Sequence, residues 1–269
     1  MDTLWYFAYG SNLSVEKFTH SRGIVPLAAV VAHIPGWQIS MSIPGLPYSE
    51  PAFASIEAMN ATSLKEKQPD VQGVAYQITR AQYAKIIASE GGDIAYAQAR
   101  LLAQVLNEAD EDAVGGKTFH VLTLTNAMFK AFPGRPSFRY MDLVLSGAKT
   151  VAITPRYLHH LQTIPTYIQG TSARRKTGAF LFLLIWSPVM QLIEITVQYT
   201  VDLERGGVVP SWVKTFVRFL VSFMWYSHEF HAFFWGRGDG LDEHSDLELM
   251  DLQSNVCHSS DSRRMPWGG

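Results

Sequence analysis

Two stretches of this 269-residue sequence set residues where they could handle charge and protons. In the first, Tyr9-Gly10-Ser11-Asn12-Leu13 follows a short aromatic run, so an apolar strand ends in a tight polar turn. Gly10 permits close approach and an unusual φ, and consecutive N–H groups in such a turn can hold a carboxylate or a developing oxyanion. In the second, Glu90 stands at the expected C-terminal end of a helix, immediately before Gly91-Gly92. The negative end of a helix dipole disfavours the charged carboxylate, which suits a residue that must take up and return a proton near neutral pH. An ordinary turn and a solvent-exposed last helical turn show the same residue types, so both readings stay open on composition alone.

Other arrangements offer less. His228-Glu229-Phe230-His231 resembles a zinc-peptidase motif but is one residue short, with histidines at i, i+3 and no third ligand, so core or interfacial histidines are expected. His159 and His160 are adjacent and would point in different directions on a helix. The sequence contains no P-loop, no G-x-G-x-x-G fingerprint and no G-x-S-x-G elbow, and we expect no cofactor and no metal. Cys257 is the lone cysteine and lies in a polar tail, so it makes no internal disulfide and is a poor nucleophile candidate. With a net charge of −2, 17% charged residues and no basic stripe, the chain lacks a nucleic-acid footprint.

The elements that must position these residues are legible in outline. With 47% apolar residues the chain can bury a sizeable core. Residues 4–9 read as a buried strand, 25–43 as two strands joined at Pro35-Gly36, and 52–60, 71–78 and 117–125 as further strands. Thr79 can cap a helix through Ser89, with Tyr83, Ile86 and Ile87 on its apolar face. Residues 140–147 and 154–163 read as short helices. Strands without regular βαβ alternation argue for an α+β fold with a small, partly closed barrel and flanking helices. After Arg174-Arg175-Lys176 the composition changes: 179–197 is almost uncharged, and 212–235 is apolar with a narrow polar stripe of Ser211, Thr215, Arg218 and Ser222. The expected organisation is therefore a catalytic domain over 1–175, an apolar helical extension over 176–240 and a disordered polar tail over 241–269.

Taken together these residues resemble the γ-glutamylcyclotransferase family. Tyr6-Phe7-Ala8-Tyr9-Gly10-Ser11-Asn12-Leu13 is similar to the family's opening motif, whose loop holds the γ-glutamyl moiety. Its Asn-Leu ending is closer to the classical branch than to the glutathione-specific branch, which typically reads Gly-Tyr-Gly-Ser-Leu. Glu90-Gly91 resembles the family's catalytic glutamate and the glycine after it. Pro136-Ser137-Phe138-Arg139-Tyr140, followed by Ser146-Gly147-Ala148-Lys149, is similar to a third block whose tyrosine lines the substrate site. The extension resembles fungal members from pathways to sulfur-bridged dioxopiperazines of the gliotoxin type.

The resemblance implies a small α+β barrel domain and an intramolecular reaction. A γ-glutamyl substrate's own α-amine attacks its γ-carbonyl, giving 5-oxoproline and a free amine, with Glu90 as acid/base and Tyr9 to Leu13 and Tyr140 binding substrate. A glutathione adduct is the substrate implied; the ε-amine of a γ-glutamyl-lysine as leaving group, or a non-catalytic γ-glutamyl-binding scaffold, stay open. The first residues lack a basic n-region and an apolar h-region, which reads as cytoplasmic. Residues 179–197 are long enough to span a bilayer, and 212–235 could re-enter it or lie in its interface, so membrane association through 179–235 is a further expectation; Pro188, Gln191 and Glu194 equally suit a helix packed on the domain itself.

Overall fold

The apolar runs at the start and middle of the chain close into a barrel. The computed structural model describes residues 2–13, 18–19, 22–60, 68–128, 132 and 134–242; Cys257 and nearly all of the expected polar tail lie outside the described residues. Strand β1 (Thr3–Ala8) pairs antiparallel with β5 (Val71–Thr79), from Thr3 opposite Thr79 to Ala8 opposite Val74. Around the barrel follow β2 (Ala28–Ile34), β6 (Tyr96–Val105) and β7 (Thr118–Asn126), and β7 closes it by running parallel to β1 at Tyr6 and Leu122. Closure removes the free strand edges, so the barrel is complete rather than partly open. The remaining strands, β3 (Trp37–Leu46) and β4 (Glu50–Ala58), form their own two-stranded sheet beside it.

Helices cover the barrel by burying one face each. Helix α1 (Arg80–Ser89) starts at a capping box in which the Thr79 hydroxyl takes the Gln82 N–H and the Gln82 side chain takes the Thr79 N–H. It buries Tyr83, Ile86 and Ile87, the face expected from sequence. After the short α2 (Glu111–Val114), helices α3 (Phe138–Thr150) and α4 (Pro155–Thr163) begin at Ser137 and Thr154, whose side chains accept N–H groups of their first turns. Met141, Val144, Ala148, Tyr157 and Leu161 join Phe7, Ile34, Ile78 and Val121 in one apolar core. Architecture and class are therefore α+β, with a barrel core and an apolar helical extension.

That extension is a pair of long helices, α5 (Ala173–Thr200) and α6 (Ser211–Trp235). Helix α5 continues through Pro188, and the Arg174 Nε donates to the Phe234 carbonyl, so the start of α5 lies against the end of α6. Together they build a second core with Phe182, Trp186, Val213, Val217, Met224 and Trp225, which also takes in Tyr48, Ile94 and Phe132 from earlier in the chain. Only the start of the polar stripe, Ser211 and Thr215, is exposed on α6. Arg218 donates to the Ile94 carbonyl, Ser222 bonds back to the Arg218 carbonyl, and the exposed side is aromatic instead.

Candidate active site

β1 ends at Ala8, and the chain turns at once into a single turn of 3₁₀ helix, Ser11–Leu13, closed by the Leu13 N–H on the Gly10 carbonyl at 2.9 Å. Gly10 is needed for closeness rather than for an unusual φ. It is absent from the glycines with positive φ, whereas a Cβ placed on it would stand 3.2 Å from the Tyr140 hydroxyl and 3.4 Å from the Ala54 Cβ. Tyr9 anchors the turn by donating its hydroxyl to the Leu124 carbonyl of β7 at 2.6 Å.

Glu90 ends α1, its own N–H completing the helix on the Ile86 carbonyl at 2.9 Å. Gly91 and Gly92 then take φ of 89° and 64°, which turns the chain away and leaves the carboxylate facing the barrel end. Its side chain is only 18% exposed, so it is not a glutamate in a frayed surface turn. The Asn12 amide donates to Glu90 Oε1 at 3.1 Å and to the Tyr6 hydroxyl at 2.9 Å, tying the loop to the helix end. Arg22, with a side chain 9% exposed, donates to the same Oε1 at 2.5 Å and to the Ser89 hydroxyl. A guanidinium here compensates the unfavourable helix-end position of the carboxylate. Both contacts fall on Oε1.

Tyr140 comes from the third sequence block. Ser137 accepts the Tyr140 N–H at 3.0 Å, and Glu50 takes both the Ser137 hydroxyl (3.1 Å) and the Arg139 guanidinium (2.6 Å), which pins α3 to β4. The Tyr140 hydroxyl accepts the Ala54 N–H at 3.1 Å. Burial, with Glu90 close by, pushes that hydroxyl well above its ordinary range, so it remains a neutral donor whose proton is free to point into the pocket. Burial acts the same way on Tyr6, Tyr9 and Tyr96.

The pocket is lined by Tyr9, Gly10, Ser11, Asn12, Glu90 and Tyr140, together with Ala54, Tyr96 and Leu124. Leu13 is the exception among the residues expected there, for it is wholly buried in the core and its N–H is taken by Gly10. Beyond the apolar Ala54 and Leu124, two polar residues were not anticipated. Tyr96 donates to the Ala54 carbonyl at 3.0 Å from a strand whose Ala, Gln and Leu content gives no sign of a strand, and Arg22 sits in a connection with no motif. The pocket is open on one side, and between the side chains it leaves about 20 Å³ of free space. The buried Asn12 Oδ1 lacks a protein partner, so the pocket offers an unused acceptor beside the carboxylate.

The His228-Glu229 stretch lies elsewhere and its side chains are engaged. His228, Glu229 and Asp239 bring ligand atoms within 4.8 Å of one another. The Arg237 guanidinium bridges them, donating to Asp239 at 2.5–3.0 Å and to Glu229 at 2.7 and 3.1 Å, while His228 Nε2 accepts the Gly238 N–H at 2.9 Å. A cation already fills the space between the carboxylates. His228 is a core histidine, and its burial lowers its affinity for a proton.

Barrel and pocket define a small α+β enzyme that presents a carboxylate among neutral hydroxyl and amide donors. The chain is 38% identical over 248 residues to the γ-glutamyl cyclotransferase aclK of Aspergillus oryzae, covering 88% of this chain and 90% of that one. Identity to the γ-glutamyl cyclotransferase gliK of Aspergillus fumigatus is 33% over 253 residues, covering 90% and 91%. A family model described as the AclK C-terminal domain matches residues 172–233, which takes in α5 and most of α6. A solved γ-glutamyl cyclotransferase aligns over 67% of this chain and 99% of its own, at 19% identity with a TM-score of 0.48. The chain belongs to the γ-glutamyl cyclotransferase family and is an enzyme.

Proposed function

We propose that the pocket cyclises the γ-glutamyl group of a glutathione-derived adduct, releasing 5-oxoproline and the remaining amine, in a fungal pathway to a gliotoxin-type toxin. The reading is supported by the names of the relatives and by one geometric observation: the Gly10–Asn12 turn, Glu90 and Tyr140, distant from one another in sequence, line a common pocket. In this scheme Glu90 Oε2 removes a proton from the substrate's α-ammonium. The freed nitrogen attacks the γ-carbonyl carbon, the amide C–N bond breaks, and Glu90 hands a proton to the departing nitrogen.

Each neighbour has a part. Arg22 and Asn12 hold Oε1, so that Oε2 is the oxygen presented to the substrate. The Tyr140 hydroxyl faces the developing oxyanion, and the turn at Gly10 gives the α-carboxylate close approach to the backbone. Holding the glutamyl chain curled contributes up to about 7–11 kcal/mol, because the reaction is intramolecular. Proton transfer by Glu90 adds on the order of 10²–10⁴-fold. Glu90→Gln keeps the hydrogen-bonded shape but cannot shuttle a proton. Measured as 5-oxoproline released from a γ-glutamyl substrate, its turnover should fall at least about 10²-fold. A folded variant with near wild-type turnover would remove Glu90 from the mechanism. Turnover of small γ-glutamyl dipeptides but not of a bis-glutathione adduct would remove the proposed substrate class while leaving the chemistry.

A further inference from the structure

Helix α6 has two unlike faces. Val213, Val217, Val221, Met224, Trp225, His228 and Ala232 are buried against the rest of the protein. On the outer side Trp212, Phe216, Phe219, Phe223, Tyr226, Phe230 and Phe233 recur at alternating spacings of four and three, and each is 54–79% exposed. This repeat keeps seven aromatic rings on one continuous stripe. Half-exposed rings of this number present on the order of 700 Å² of apolar surface, more than the largest patch of a typical monomer. Helix α5 adds Phe180, Leu181, Leu184, Ile185 and Leu192, all exposed, with no charged residue between Lys176 and Glu194. It is also long and apolar enough to cross a membrane.

We propose that the aromatic stripe of α6, with the exposed side of α5, docks in the interfacial layer of an anionic lipid bilayer. Charge placement favours lipid over a second copy of the chain. Arg174 and Lys176 are exposed at one end of the stripe, where Arg174 meets the Phe233 and Phe234 carbonyls, in position for headgroup phosphates. A helix that pairs with another helix through a four-three repeat is flanked by charges of both signs that select the partner. Here the residues beside the stripe are Thr215, Leu220, Ser222 and Ser227, together with Glu229, whose carboxylate is already paired with Arg237 at 2.7 Å. Aromatic rings on one face with basic residues at the margin are the pattern of a helix lying in a membrane surface.

The helices lie on the membrane rather than cross it. α6 is held to the rest of the protein by the Trp225 indole on the Gly45 carbonyl at 3.1 Å, by Arg218 on the Ile94 carbonyl at 2.8 Å and by an ion pair between Lys214 and Asp93. Crossing would strip those contacts and bury polar groups in hydrocarbon, so only the outer face meets lipid.

The test is flotation of the full chain with vesicles of phosphatidylcholine alone or mixed with phosphatidylserine, at low and high salt. The wild type should float with both, at least about tenfold more tightly with the anionic vesicles, and the excess should vanish at high salt. Phe219→Ser combined with Phe230→Ser should lower partitioning at least about tenfold while the melting temperature shifts by only a few degrees. Lys176→Glu, which touches no apolar packing, should reduce the preference for anionic vesicles about fivefold, and covers the case in which the aromatic pair fails to fold. Wild-type protein that stays with the soluble fraction at every composition would overturn the proposal. So would sedimentation velocity showing a dimer that the aromatic substitutions dissolve, which would assign the stripe to contact between copies.

Discussion

The barrel end and the outer face of the C-terminal helices depart from ordinary protein chemistry in opposite ways. At the barrel end, polar groups are buried: Asn12, Ser55 and Thr123 lie in the interior, with Glu90 and Arg22 nearly so. On the outer face of α6, large apolar groups are left in the open. Each departure is unfavourable for an isolated folded chain, since buried polar atoms lose hydration and exposed rings order water. The first is offset internally by hydrogen bonds such as Thr123 to the Phe7 carbonyl and Asn12 to Tyr6 and Glu90. The second leaves an apolar contact surface, which the bilayer proposal assigns to lipid. A satisfied polar interior marks a place for chemistry, whereas an unsatisfied apolar exterior marks a place for contact.

Substitutions can separate the two regions. The largest effect on stability should come from Trp225→Ala at the join. Trp225 is buried, stacks on Phe132 at 5.5 Å and bonds to Gly45, so its loss should lower unfolding free energy by about 3–5 kcal/mol. Denaturant titration measures this, and a shift below 1 kcal/mol would mean the helices are not integral to the fold. Next is Tyr140→Phe, which removes the donor to the oxyanion and leaves the Ala54 N–H unpaired. We expect kcat to fall about 10²-fold with vesicle binding unchanged, and a change confined to KM would relocate Tyr140 to substrate binding. The smallest is Arg22→Gln, which loses a charge-assisted bond to Glu90. Stability should drop by about 1.5–3 kcal/mol by thermal melting, with residual cyclisation above that of Glu90→Gln, since Arg22 only positions the carboxylate.

How much of this was readable from residues alone varied with how local the cause was. The α1 boundaries were readable because Thr79 and Gln82 cap it from three residues apart, and Gly91 and Gly92 end it with backbone conformations other residues resist. β6 was not. Its Ala97-Gln98-Ala99-Arg100-Leu101-Leu102-Ala103-Gln104 core favours helix by intrinsic propensity, and it is a strand because β7 pairs with it along its length and β2 pairs with its end. Missing β6 meant missing Tyr96. Arg22 was hidden for the same kind of reason, since its only meaning is its partner 68 residues away.

The sequence by itself determined the family, through three blocks in order around Gly10, Glu90 and Tyr140, and it determined that 179–197 and 212–235 would be apolar and helical. Spacing and composition suffice there because turns, caps and hydrophobic periodicity act over a few residues. Tertiary structure decided which oxygen of Glu90 is held, that Leu13 turns into the core, that Gly10 matters through the space it leaves for Tyr140, and which side of α6 is the exposed one. Those facts depend on atoms brought together by barrel closure and helix docking, and on both faces of α6 being apolar. With no polarity difference to orient the helix, only its packing against Tyr48, Ile94 and Phe132 could choose the face turned inward.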